Sequence, residues 1–117
     1  MSVDVEHRIL STSVEYVKVQ VSAFVGGVPT YDPTADVVKM AFVPINTDPV
    51  TGDFVAASWE TQTVTTPNNV TYLYFARCLV GPSPGVKQLA AGVYQVFVKI
   101  TDSPEVPIKY SGLIEVF

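Results

Sequence analysis

Apolar and polar residues alternate with a period of two along most of the chain. The run over residues 92–101 is the clearest case: Tyr94, Val96, Val98 and Ile100 fall on one side, Gln95, Lys99 and Thr101 on the other. Successive side chains leave a pleated backbone on opposite faces, so this pattern predicts a half-buried β-strand. Residues 14–25 repeat it, with Val17, Val19, Val21 and Ala23 set against Lys18, Gln20 and Ser22. Residues 36–44 place Val38, Met40 and Phe42 inward and Lys39 outward. The run 54–66 carries Trp59 and a Thr-rich stretch suited to a solvated face. It should pair with residues 70–80, which are apolar on both sides and read as a central strand. Residues 108–117 form the last strand.

Turn chemistry separates these runs. Glycine and proline crowd residues 26–34, a connection too long for a tight hairpin and suited to crossing between sheets. Asn46, Asp48, Pro49 and Gly52 mark a second turn, Pro67-Asn68-Asn69 a third, Gly81-Pro82-Ser83-Pro84-Gly85 a fourth, and a Pro-rich corner fills 102–107. No stretch carries a convincing helical period. About seven short β-runs without a cysteine pair predict an all-β chain, an immunoglobulin-like β-sandwich of about seven antiparallel strands, with a small barrel as the alternative. One domain spans residues 13–117. Residues 1–12 are expected to form an arm that adds an edge strand to its own domain or reaches a neighbour.

Composition agrees with a packed domain. Hydrophobic residues make up 48% of the 117 positions and charged residues 15%, which argues against disorder. So little ionic surface favours contacts with other proteins and permits a homo-oligomer. The 11 acidic and 7 basic residues form no run of either sign, so clustered cations for a nucleic-acid backbone are missing and no nucleic-acid partner is expected. No segment reaches the roughly 18 to 20 consecutive apolar residues of a membrane helix, so no membrane partner is expected either. The charged N-terminal residues do not read as a signal peptide, which predicts synthesis and folding in a cytoplasm.

Candidate chemistry is thin. Cys78, the single cysteine, sits inside a strand and reads as an inert buried thiol. His7 lies in the arm, away from the predicted core. Asn46, Asp48 and Asp53 offer oxygen atoms but lack calcium-loop spacing, and Asp102 with Glu105 flank a corner where carboxylates are common. No catalytic residue, cofactor or metal site is therefore expected, and the chain reads as a non-enzyme. Trp59 should be largely buried between the sheets, and Tyr72, Tyr74 and Tyr94 should bury their rings. Tyr31, in a loop, is the better candidate for an exposed contact.

Four segments carry a likeness to a known group: Val37-Val38-Lys39-Met40-Ala41-Phe42-Val43-Pro44, Ala57-Ser58-Trp59, Ala76-Arg77-Cys78-Leu79-Val80-Gly81-Pro82, and the strand from Gly92 through the corner Thr101-Asp102-Ser103-Pro104-Glu105-Val106-Pro107. Over residues 14–117 the chain resembles small proteins from the virion-structure gene blocks of tailed phages of actinobacteria. It is more distantly similar to the immunoglobulin-like N-terminal domains of phage baseplate proteins. The resemblance implies a virion structural role, head-associated as a capsid decoration or head-tail connector component, with a tail or baseplate seat as the alternative. It implies other virion proteins as partners, major capsid, connector or tail subunits, and carries no functional residue over. A module recognising a host glycan or surface protein through Tyr31 is the competing expectation.

Attachment is expected to use the arm. Val3 and Val5 alternate with Asp4 and Glu6, and Ile9 and Leu10 follow, a pattern suited to laying apolar side chains on a neighbour. On that view, deleting residues 2–12 leaves the domain's stability nearly unchanged.

Overall fold

The period-two runs become strands in the computed structural model, which describes residues 7–21, 33–101, 106 and 108–117. The strands are β1 (His7–Ile9), β2 (Glu15–Val21), β3 (Val37–Pro44), β4 (Phe54–Ala56), β5 (Ser58–Thr66), β6 (Asn69–Val80), β7 (Gly92–Thr101) and β8 (Ile108–Val116). Single 3-10 turns at Pro33–Ala35 and Thr51–Asp53 precede β3 and β4. One sheet has the order β1-β8-β7-β3-β4 and the other β2-β6-β5. The protein is an all-β sandwich, with strands 8, 7 and 3 of the larger sheet opposite strands 2, 6 and 5 of the smaller one.

The inward positions of both sheets meet in a single core. Val38, Met40, Phe42, Val96, Val98, Ile114 and Ile9 come from the five-stranded sheet, and Val17, Ala76, Cys78 and Val80 from the three-stranded one. Tyr94 packs beside them near the start of β7, and its hydroxyl donates to the Ala90 carbonyl at 2.7 Å. That bond ties the connection before β7 onto the strand, as a tyrosine corner does. Trp59 is only half-buried, less than expected. Its ring packs against the core from β5, while Nε1 donates to the Asp36 carbonyl at 2.9 Å, just before β3. It thus ties the two sheets together from their margin.

Three features decide between or correct the sequence expectations. The run over 54–66 is two strands: Ala57 still donates to the Val38 carbonyl at 3.1 Å, after which the chain crosses to pair Ser58 with Arg77 in the other sheet. The arm contributes β1 to its own domain, running parallel to β8 in the register His7 to Ile114 and Ile9 to Val116. Ile9, at 2% exposure, fills the core, so this expected grip on a neighbour is unavailable as one. Finally, β8 carries a bulge. Gly112 opposes Val96, but Tyr110 opposes Phe97, leaving Ser111 as the extra residue. One added residue reverses the faces of everything beyond it, so Tyr110 and Ile108 point away from the core.

Candidate interaction surfaces

The bulge gives the five-stranded sheet an apolar outer face. Ala41 and Val43 are buried there, although they alternate with the core residues of β3. Phe97 and Tyr110 cover part of it edge to face, with ring centroids 5.6 Å apart and planes at 65°. Val37 (59% exposed), Tyr110 (55%) and Ile108 (48%) leave much of this face open to solvent. Lys39 stands directly opposite Lys99 in the β3-β7 register. The Lys99 ammonium lies 5.1 Å from the Phe54 ring centroid, and among the described residues neither lysine has a carboxylate partner. Like charges opposed across strands are destabilising, which makes this pair an unsettled feature of the isolated domain.

The outer face of the three-stranded sheet resolves its charges internally. Glu60 on β5 accepts from Lys18 at 3.0 Å, Arg77 at 3.1 Å and Gln62 at 3.0 Å. The hydrogen bonds from Gln62 and then Lys18 hold its carboxyl below the usual carboxylate value. Because that shift is downward, the small exposed contribution is present above the unfolded-state value and lost as pH falls through the lowered one. Arg77 also covers the Tyr16 ring at 4.4 Å. Beyond this network β5 and β6 continue as a ribbon closed by the two-residue turn Pro67-Asn68, where Thr66 pairs with Asn69. Val64, Val70 and Tyr72 are exposed along it, so the first half of β6 is less covered than its apolar sequence suggested, and the Tyr72 ring is not buried.

An open groove of about 680 Å³ forms where β4 leaves for β5, between Ala56, Ala57, Arg77, Cys78 and Lys87. Lys87 occupies the place beside β6 that β5 vacates, donating its backbone N–H to Leu79 at 3.1 Å. Cys78 sits in the groove's floor, and burial pushes its thiol pKa up while Lys87 opposes the rise. The thiol therefore stays protonated at mildly alkaline pH. Iodoacetamide at pH 8 should alkylate Cys78 at least about tenfold more slowly in the folded chain than in urea, as expected for a buried neutral thiol. Equal rates, followed by mass, would show the side chain to be open.

The remaining candidates are placed as follows. Leu10 is exposed next to β1, as is Val14 a few residues on, and the Ser11 N–H that follows it donates to the carbonyl of exposed Phe117. Arg8 bonds Glu115 at 2.7 Å and lies 4.2 Å over the Phe117 ring. Val3, Val5 and Tyr31, together with Asp102 and Glu105, lie outside the described residues. In the turn after β3, Asn46 adopts φ 64°, and Asp53 accepts the Val50 backbone N–H at 2.9 Å, which stabilises the turn locally. Among the described residues no three His, Cys, Asp or Glu side chains are grouped to hold a metal ion, and no helix is long and apolar enough to cross a membrane. The chain matches no protein-family model, and no curated protein or solved structure is detectably similar to it.

Sequence reasoning missed the outer face of the larger sheet. Its signal lay in Ala41, Val43 and Phe97, apolar residues out of phase with the inward set, but the bulge that brings Tyr110 and Ile108 beside them depends on nonlocal pairing.

Proposed function

We propose that this chain is a non-enzymatic structural subunit of a tailed-phage virion, seated at the head or the head-tail connection, that docks its strand faces on other virion proteins. The observation that supports this reading best is the outer face of the larger sheet. It presents Val37 on β3 and Ile108 and Tyr110 on β8, on either side of β7, and such a face marks a surface that meets another protein. The likeness of residues 14–117 to virion-structure proteins of actinobacterial phages supplies the setting. The tail or baseplate is the alternative seat.

Mass spectrometry of purified phage particles carrying this gene should recover the protein in multiple copies, and gold-labelled antibody should mark the head or neck. Label confined to the tail would move the seat. Absence from particles, combined with binding of the isolated domain to host glycans, would replace the proposal with the recognition-module reading.

A further inference from the structure

A second surface complements the lysine pair. The turn between β3 and β4 projects Val50, the most exposed large apolar side chain described at 66%, between Asp48 and Asp53. Asp53 uses one oxygen to hold the turn, and Asp48 has no partner among the described residues. The turn is therefore an apolar knob flanked by two carboxylates. The outer face of the five-stranded sheet is its chemical counterpart: two half-buried lysines, Lys39 and Lys99, in a setting of Val37, Ile108 and Tyr110.

The two surfaces are not paired within one molecule. Asp53 precedes Phe54, which pairs with Ala41 at the start of β4, yet among the described residues neither lysine has a carboxylate within the roughly 4 Å of an ion pair. We propose that copies of this chain associate knob to face, the knob of Asp48, Val50 and Asp53 on one copy docking on the Lys39 and Lys99 face of another. Made reciprocally about a two-fold axis such a contact closes a dimer, and made in one direction it propagates into a ring or a filament. Burial of Val50 against Tyr110 and Ile108 supplies the apolar part of the contact, and the charges set its direction. The contact goes beyond the virion reading and holds whether or not the protein is found on particles.

Sedimentation velocity of the full chain across a concentration series tests this. The wild type should form species larger than monomer, more weakly as salt is raised, because exposed pairs are screened. Lys39→Glu with Lys99→Glu, and separately Asp48→Lys with Asp53→Asn, should each raise the concentration for half-association by at least about tenfold, as expected when the two attractive pairs are reversed or removed. The asparagine keeps an oxygen for the Val50 N–H. An equimolar mixture of the two reversed variants should associate again, since each then offers the other a complementary contact, and misfolded variants could not give that rescue. A wild type that stays monomeric throughout overturns the proposal. So does association that is indifferent to both reversals, or a mixture no more associated than its components.

Discussion

Replacing Ile9 by alanine should lower the unfolding free energy by about 3 kcal/mol, the middle of the range for emptying a fully buried aliphatic site. Ile9 belongs to a strand of three residues, yet its side chain is 2% exposed and packs with the main core. Deleting residues 2–12 should cost more. It removes the same side chain, the backbone bonds Phe117 to Ile9 at 2.9 Å and Ser11 to Phe117 at 2.6 Å, and the parallel partner of β8. This replaces the expectation that the arm is dispensable for stability. Leu10→Ala provides the contrast, because an exposed position should change stability by no more than about 0.5 kcal/mol. Urea midpoints at unchanged slope measure all three, and a loss below about 1 kcal/mol for Ile9→Ala would mean that β1 does not contribute its side chain to the core.

Gly81→Ala should be comparably severe, about 3 kcal/mol, for two reasons that add. The residue has φ 154°, where side-chain-bearing residues are strained, and a β-carbon there would sit 2.7 Å from the Ser13 carbonyl oxygen and 2.8 Å from the Val14 Cα. Both neighbours are backbone, so relief requires moving the chain that leads into β2. Gly85 separates the causes. It has φ 81° but open space around a built β-carbon, so Gly85→Ala should cost only about 1 kcal/mol from backbone conformation alone. Equal losses at the two glycines, read from thermal or urea unfolding, would show that close approach at Gly81 contributes nothing.

Local alternation carried the strands and the core, because a half-buried strand writes its inward side chains at every second position. Val96, Val98, Met40 and Phe42 are all buried as their spacing predicts. Alternation does not say which strand lies alongside. The break at Ala57 is silent in the sequence for that reason: the period continues while the hydrogen-bonding partner changes from β3 to β6. The two-residue alternation of Val3, Val5 and their acidic neighbours continues toward Ile9, and nothing local separates a residue that enters the core from one that lies on a neighbour. The candidate surface was the least legible. Lys39 and Lys99 are 60 positions apart in the chain, and their opposition follows from strand register, which alternation constrains only to within two residues.

The pairing of β1 with β8 also orders events during synthesis. Ile9 emerges from the ribosome well before its neighbour in the sheet, Val116, so the site it fills is walled on one side by residues made about a hundred positions later. Until then the nascent chain holds an unclosed sheet and an unsheltered apolar residue, a state that pairings distant in sequence prolong and that invites aggregation. The sandwich therefore cannot close until β8 has left the ribosome, and a chain stalled or terminated before β8 should behave as an unfolded one even though its other strands have been made.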